Sequence, residues 1–118
     1  MLLQLVEAGK VRLSDPVEKY YPEVNKVEGR FAGAPPITLV QLATHTSGMG
    51  REPADLETYL KGPVSEWEKV MIAALPRTKY DFEPAARFSY SNIGYAILGA
   101  ALSRAAGQSY VDYMSQKF

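Results

Sequence analysis

The chain has 118 residues, which is the length of one domain and leaves no room for a second. Hydrophobic residues make up 47% of it and charged residues 22%, a composition typical of a globular protein with an apolar core. Thirteen basic and thirteen acidic side chains give a net charge of zero, which argues against nucleic acid as a partner. With no cysteine and a single histidine, His45, the chain can form neither a disulfide framework nor a self-contained histidine metal cage.

The first helix signal lies at the start of the chain. Leu2, Leu3, Leu5 and Val6 are spaced to share one helical face, and Gly9 stands where a glycine commonly ends a helix. No residue before Leu2 could serve as an N-cap. We therefore expect the chain to begin inside a helix.

Capping signals open the next two predicted helices. Asp15 is placed as the N-cap of a short helix, followed by a proline at the first helical position and by Glu18 at the third. Residues 23–36 are predicted to be loop. Thr38 and Gln41 have the spacing of a capping box and predict a helix that reaches about residue 44.

The middle of the chain predicts two more helices and a long loop. Residues 55–61 form the first, and Ser65 is the expected N-cap of the second. Residues 76–90 read as an ordered loop with a short extended piece at 88–90. The apolar stripe of the second helix is expected in the core, and it comprises Trp67, Val70, Met71, Ala74 and Leu75.

The strongest helix signal covers residues 93–106, which are apolar on nearly every face and carry no charge before Arg104. Gly107 is expected to end this helix. Gly94 and Gly99 each cost about 1 kcal/mol relative to alanine inside a helix. We expect another backbone to pass close to both glycines, because such an approach would explain their presence.

Ser109 is the expected N-cap of a last helix, over 110–118, which has no terminating residue. Both ends of the chain are therefore expected to be truncated, and localisation is left open. We predict no membrane span, because the apolar stretch at 88–103 is short of about 20 residues and includes polar side chains. No run of residues alternates as a strand would, so little or no sheet is expected.

A polar turn at residues 45–48 contains a histidine and a serine two positions apart. Such a pair rarely faces correctly for proton transfer, and no orienting acid is evident nearby. We therefore interpret His45 and Ser47 as residues that fix the end of the preceding helix, with His45 structural rather than catalytic.

The segment Tyr90-Ser91-Asn92 comes immediately before the apolar helix. In an extended turn, residues two apart point to the same side, so a phenol and a carboxamide could both enter one cleft. The alternative is that Ser91 or Asn92 is only a helix cap and Tyr90 a core aromatic residue. Spacing alone leaves both interpretations open.

Three stretches of the chain resemble the serine β-lactamase-like hydrolases, a family that includes class C β-lactamases, penicillin-binding carboxypeptidases and esterases. Residues 83–99, around Tyr90-Ser91-Asn92, resemble its second signature region. Residues 39–49 resemble the stretch leading to its His-Thr-Ser-Gly turn, and residues 3–17 resemble the end of its nucleophile-bearing helix. One departure is Ala85, where many relatives have glycine after proline.

In that family a serine from a Ser-x-x-Lys motif attacks an acyl carbonyl. The resemblance implies that Tyr90 is catalytic and shares the proton transfer, and that Asn92 is substrate-binding and holds an amide or carbonyl oxygen. It implies no metal and no organic cofactor. No serine of this chain is followed by a lysine three positions later.

The resemblance predicts a mostly α-helical chain, residues 1–118, forming the helical region of the β-lactamase/transpeptidase-like fold. The implied function is part of a serine hydrolase acting on a β-lactam, an ester or a D-amino-acid amide, with this chain inactive alone. The alternative from another class is a non-catalytic helical module for binding or assembly. Because apolar helix faces need cover, we also expect a homo-oligomer built through the first helix or the helix over 93–106.

Overall fold

The computed structural model describes residues 1–27, 35–52, 57, 61 and 66–117. The α-helices bounded within these ranges are α1 (Leu2–Glu7), α2 (Leu39–Ala43), α3 (Trp67–Ala74), α4 (Asn92–Ala106) and α5 (Tyr110–Lys117). Short 3₁₀ helices cover Val17–Lys19, Pro22–Lys26 and Leu75–Arg77. Extended pairing in the described ranges amounts to two isolated bridges, Pro16 with Thr38 and Met49 with Tyr80. The prediction of a mostly helical chain is confirmed.

Helix α4 provides the largest share of the core. It packs against α2 on one side and α5 on another. Its side chains include several that are less than 5% exposed, among them Ile93, Ile97 and Leu102. Buried side chains from other elements that complete the core include Leu5, Val17, Tyr21, Leu39, Leu42, Met49, Met71, Leu75 and Tyr113.

Helix α1 turns only part of its apolar set inward. Leu5 is 2% exposed, whereas Leu3 is 67% exposed, so the face that the four residues were expected to share is only partly buried. At 100° per residue, Leu3 lies about 200° from Leu5, on the far side of a short helix. Gly9 has a φ of +73° and its N–H donates to the Val6 carbonyl, which confirms the predicted glycine stop.

Asp15 does not cap the short helix that follows it. The 3₁₀ helix Val17–Lys19 begins after Pro16 with no side-chain cap. The Asp15 carboxylate instead accepts the Arg12 N–H at 2.9 Å and the Tyr20 hydroxyl at 2.5 Å. These contacts lower the pKa of Asp15, with the Tyr20 hydrogen bond as the largest cause.

The segment 23–36, predicted as loop, begins with the 3₁₀ helix Pro22–Lys26. The prediction missed it because a single 3₁₀ turn has no apolar periodicity to detect. Residues 28–34 lie outside the described residues. The capping box before α2 is confirmed: Thr38 Oγ1 accepts the Gln41 N–H, and Gln41 Oε1 accepts the Thr38 N–H.

Most of the predicted helix at 55–61 and the predicted Ser65 cap lie outside the described residues. Glu57 and Lys61, which are described, are both helical, and their side chains form an ion pair at 2.6 Å. In α3 and the turn that follows it, Met71, Ala74 and Leu75 are buried as predicted, and Trp67 packs against the core.

Ser91 caps α4, because its Oγ accepts the Gly94 N–H at 2.9 Å, and Gly107 ends the helix in the left-handed region with a φ of +71°. The expected close backbone approaches are wrong. A Cβ on Gly94 would meet the Ser91 and Leu42 side chains at 3.0–3.4 Å, and one on Gly99 would meet no atom of the described residues within 4 Å.

Helix α5 begins as predicted, since Ser109 Oγ accepts the Asp112 N–H at 3.1 Å. In the last turn of α4, Arg104 bonds the Glu23 carboxylate and lies over the Tyr21 ring, joining α4 to the second 3₁₀ helix. This hydrogen bond lowers the pKa of Glu23. Among the described helices, none is long and apolar enough to cross a membrane.

Candidate active site

The N-terminus of α4 joins two loops that run side by side. Backbone hydrogen bonds link residues 45–51 to residues 79–92 at five levels. At four of them the bond runs from the second segment to the first, with the N–H groups of Asp81, Ala85, Ser89 and Asn92 donating to the carbonyls of Gly48, Thr46, His45 and Arg51, respectively. At the fifth it runs the other way, from the Gly50 N–H to the Lys79 carbonyl. These bonds span 2.7 to 2.9 Å. The two loops therefore hold Tyr90-Ser91-Asn92 against the turn that follows α2.

Ser91 is 1% exposed, and its hydroxyl is fully used by the fold. The Ser91 Oγ donates to the Gly50 carbonyl at 2.8 Å and accepts the Gly94 N–H. Its own N–H donates to Nδ1 of His45 at 3.0 Å. The interpretation of Ser91 as the helix cap is confirmed, and this serine has a structural part in the junction.

Asn92 is exposed at the first position of α4. Its side-chain Nδ2 donates to Glu52 Oε1 at 2.6 Å, so its amide oxygen is directed away from that carboxylate. Glu52 also lies 3.7 Å from the Nε of Arg51. Sequence reasoning missed both Arg51 and Glu52, because 40 residues separate Glu52 from Asn92 and no local pattern marks the contact.

Tyr90 is 50% exposed, so the alternative that it is a core aromatic residue is wrong. The guanidinium of Arg51 lies 5.5 Å from the centroid of its ring. A continuous series of contacts therefore runs from Tyr90 through Arg51 and Glu52 to Asn92. The phenol of Tyr90 and the carboxamide of Asn92 therefore lie beside one pair of charged side chains. That the phenol and the carboxamide enter one shared cleft remains a prediction.

The imidazole of His45 packs against three aromatic rings of the neighbouring loop and helix. The ring centroids lie 4.5 Å away for Tyr90, 4.6 Å for Tyr95 and 5.7 Å for Phe88. His45 itself has a φ of +57°, a left-handed conformation that is uncommon for residues other than glycine. The sequence interpretation of His45 as structural agrees with these contacts, but nothing in the sequence indicated the aromatic partners.

The turn after His45 needs a glycine. Ser47 is buried and its Oγ accepts the Met49 N–H at 3.3 Å, an interaction typical of a tight turn. Gly48 has a φ of +83°, and a Cβ there would lie 2.0 Å from the Phe82 carbonyl oxygen. The backbone of the facing loop therefore approaches Gly48 too closely for any side chain.

Ala85, where many relatives have glycine, has a left-handed backbone. Ala85 adopts a φ of +65°, a region in which glycine has no steric penalty and alanine has one. Its N–H still donates to the Thr46 carbonyl at 2.7 Å. The alanine therefore does not prevent this backbone hydrogen bond between the two loops.

Metal ligands are not assembled in this region. Within the ranges that the structure describes, no three histidine or acidic side chains lie close enough together to hold a metal ion. The groups available for chemistry around the junction are the phenol of Tyr90, the amide of Asn92 and the charged pair Arg51 and Glu52.

The mostly helical fold and the Tyr90-Ser91-Asn92 junction agree with a family match that covers the whole sequence. The family model described as beta-lactamase matches residues 1–118, and the chain belongs to that family. It is 34% identical to the D-alanyl-D-alanine-carboxypeptidase/endopeptidase AmpH of Escherichia coli K12, with 99% of this chain and 30% of AmpH covered. The chain therefore spans less than a third of that relative.

Solved structures give the same fold. A D-stereospecific amidohydrolase from Streptomyces superposes with a TM-score of 0.75 at 29% identity, over 99% of this chain and 36% of that chain. The octameric penicillin-binding protein homologue from Pyrococcus abyssi superposes with a TM-score of 0.72 at 30% identity, over 99% of this chain and 27% of that one. The chain has the fold of the helical region in these proteins, as the resemblance predicted.

Proposed function

We propose that this chain forms the part of a serine hydrolase active site that carries Tyr90 and Asn92. The reaction is acyl transfer to water through a serine-bound acyl-enzyme, on a β-lactam, an ester or a D-amino-acid amide. Tyr90 is the catalytic residue that shares the proton transfer, and Asn92 binds the amide or carbonyl oxygen of the substrate. The observation that carries the proposal is the exposure of both side chains on either side of a fully bonded Ser91.

The local geometry supports different roles for Tyr90, Ser91 and Asn92. Ser91 uses its hydroxyl and its N–H within the fold, so it is not free to act as a nucleophile. Tyr90 and Asn92 project from the same rigid junction and face the charged pair Arg51 and Glu52. A positioned phenol and amide without a nucleophile between them fit a supporting role in acyl transfer.

Because the chain holds no Ser-x-x-Lys motif, the proposal includes inactivity of the 118-residue chain alone. The purified chain is incubated with an acylating aryl ester and with a β-lactam, and the intact mass is measured. We expect no covalent adduct and no burst of product. A stoichiometric acyl adduct on any serine of the chain would refute this part of the proposal.

The role of Tyr90 is tested in a chimaera in which residues 1–118 replace the matching segment of AmpH. The flanking segments are where the resemblance places the nucleophile and the third motif. We expect Tyr90→Phe to lower the acylation rate by about 10²–10⁴, the usual contribution of a positioned proton-transfer group. Tyr110→Phe is the matched control, because it removes the same hydroxyl from a ring that is 45% exposed and belongs to α5. Equal rates in the two variants would refute the catalytic role.

A second candidate function, assembly through copies of this chain, is favoured by an apolar groove. The groove has a volume of about 630 Å³ and runs along the face of α4 that contains Gly99. It is lined by Met1, Leu2, Ala43, Trp67, Tyr95, Ala96, Leu98, Gly99, Leu102, Tyr110 and Val111. Val111 is 63% exposed at its edge. A net charge of zero gives no overall repulsion between two copies, and one relative of this fold is octameric.

Sedimentation velocity at micromolar concentration tests this assembly. We expect a homo-oligomer that Val111→Lys shifts toward monomer, because a lysine at the groove edge would have to be desolvated in the interface. Leu3→Lys is the matched control, since Leu3 is 67% exposed and is not among the groove residues. A monomer in the unsubstituted chain would refute assembly and leave the catalytic proposal untouched.

A further inference from the structure

His45 holds the Tyr90-Ser91-Asn92 junction from the opposite loop through its ring and its backbone. The Nδ1 atom accepts the Ser91 N–H across 46 residues of sequence, and the His45 carbonyl accepts the Ser89 N–H at 2.8 Å. The residues on both sides of Tyr90 are therefore bonded to one histidine.

The ring of His45 also contacts the ring of Tyr90 directly, at 4.5 Å between centroids and with 31° between the planes. On Tyr95 the same imidazole is stacked, with an interplanar angle of 13°. The Tyr95 hydroxyl donates to the Ala43 carbonyl at 2.6 Å, which ties that ring to the end of α2. The imidazole thus lies between the exposed Tyr90 ring and the Tyr95 ring, which is held in place by its hydrogen bond to Ala43.

Accepting a hydrogen bond at Nδ1 requires that nitrogen to be unprotonated, so the neutral imidazole carries its proton on Nε2. The left-handed backbone at His45, with a φ of +57°, lies where α2 ends, since the His45 N–H donates to the Leu42 carbonyl and the Thr46 N–H to the Gln41 carbonyl. Non-glycine residues in that region are strained and persist where the surroundings impose them. The same residue makes the contacts with Tyr90 and Ser91.

We propose that His45 is a positioning residue for Tyr90: it fixes the orientation of the phenol through ring contact and through Ser91, without touching substrate. This inference rests on the proposed function of Tyr90 and adds a residue that the sequence assigned only to a helix end. It predicts that His45 acts on the acylation rate through Tyr90 alone. An effect of His45 that survives removal of the Tyr90 hydroxyl would contradict it.

The kinetic test is a double-mutant cycle in the AmpH chimaera with His45→Asn, Tyr90→Phe and the double variant. Asparagine tolerates the left-handed backbone but lacks the ring that contacts Tyr90. We expect His45→Asn alone to lower the acylation rate by about 10-fold or more, with KM changed less than about twofold. In the Tyr90→Phe background the same substitution is expected to have no further effect. Thr46→Ala is the matched control, because it perturbs the same turn without contacting Tyr90.

The outcomes separate the two proposals. An unchanged rate in Tyr90→Phe overturns the proposed function and, with it, any positioning by His45 in catalysis. A reduced rate in Tyr90→Phe with an unchanged rate in His45→Asn overturns the positioning role only. A loss in His45→Asn that persists in full beside Tyr90→Phe also overturns it, because His45 would then act by another route.

A spectroscopic measurement on the 118-residue chain tests the geometry independently of activity. With ¹⁵N-labelled histidine and backbone, we expect Nδ1 of His45 to have the chemical shift of an unprotonated nitrogen. We also expect a scalar coupling across the hydrogen bond to the Ser91 amide. A protonated Nδ1 in the neutral ring, or a Ser91 amide that exchanges as fast in the unsubstituted chain as in His45→Asn, would overturn the inference.

Discussion

Replacing Ala85 with glycine should stabilise the protein, although most substitutions destabilise. Ala85 has a φ of +65°, where an L-residue with a Cβ costs about 1–2 kcal/mol. Glycine removes that cost but adds about 0.5–1 kcal/mol of chain entropy in the unfolded state. Because Ala85 is exposed, losing its methyl group removes little packing. The net expectation is a gain of about 0.5–1 kcal/mol for Ala85→Gly.

This gain converts to a small but measurable change in the melting temperature. For a chain of 118 residues the entropy of unfolding is about 0.25 kcal/mol per kelvin, at about 2.1 cal/mol per kelvin for each residue. A gain of 0.5–1 kcal/mol therefore raises the melting temperature by about 2–4 °C. Thermal unfolding followed by far-ultraviolet circular dichroism measures this shift, and urea unfolding measures the free energy directly.

The neighbouring residue provides a control of opposite sign. Ala86 is also exposed but is not among the residues with positive φ, so Ala86→Gly adds unfolded-state entropy without relieving strain. We expect it to lose about 0.5–1 kcal/mol. If Ala85→Gly lowers the melting temperature as much as Ala86→Gly does, the left-handed conformation at Ala85 is refuted.

Two further substitutions test the structure elsewhere. Gly48→Ala should destabilise by more than about 3 kcal/mol in urea unfolding, because its φ is +83° and the new methyl would collide with the Phe82 carbonyl; a loss below about 1 kcal/mol would contradict that close approach. Asp15→Asn should lower the free energy of unfolding at pH 6, and the difference between the two proteins should become smaller below about pH 4. The reason is that the hydrogen bond from Tyr20 lowers the pKa of the Asp15 carboxyl, so its stabilisation is present above its ordinary pKa and is lost as the pH falls. A cost independent of pH would contradict that assignment.

Local capping patterns were the part of the fold that sequence predicted best. The box formed by Thr38 and Gln41, the cap at Ser91 and the stop at Gly107 all appear where expected. Each depends on atoms within about four residues, so the sequence contains the whole interaction. The prediction at Asp15 was wrong because its carboxylate accepts hydrogen bonds from the Tyr20 hydroxyl and the Arg12 N–H and does not cap the helix.

The glycines of α4 show the limit of inference from energetic cost. Gly94 and Gly99 are both unfavourable in a helix, and cost alone cannot tell a close side chain from a close backbone or from open space. The structure shows side chains beside Gly94, whereas a Cβ on Gly99, which lies on the apolar groove, would have no neighbour within 4 Å in the part of the chain that is described. Only the three-dimensional packing around each glycine distinguishes these cases.

The candidate site could be located from the sequence, but its supporting residues could not. Tyr90 and Asn92 were marked by a local motif and a resemblance, and the exposure of both agrees with a site. Glu52 binds Asn92 and His45 binds Ser91 across 40 and 46 residues. Contacts of that separation depend on how α2 and α4 pack, and no pattern in a single sequence encodes them.

Three of the described residues with a left-handed backbone lie beside the proposed site. His45, Gly48 and Ala85 have φ values of +57°, +83° and +65°, and the backbone of all three takes part in the bonds that join residues 45–51 to residues 79–92. Since those bonds use backbone atoms, the register of the two loops depends on these dihedral angles more than on side-chain identity. His45 is the exception, because its side chain continues the same pairing to Ser91. Relieving strain at Ala85 should therefore stabilise the chain without moving Tyr90, whereas removing the His45 ring should release Tyr90 with the loop pairing intact.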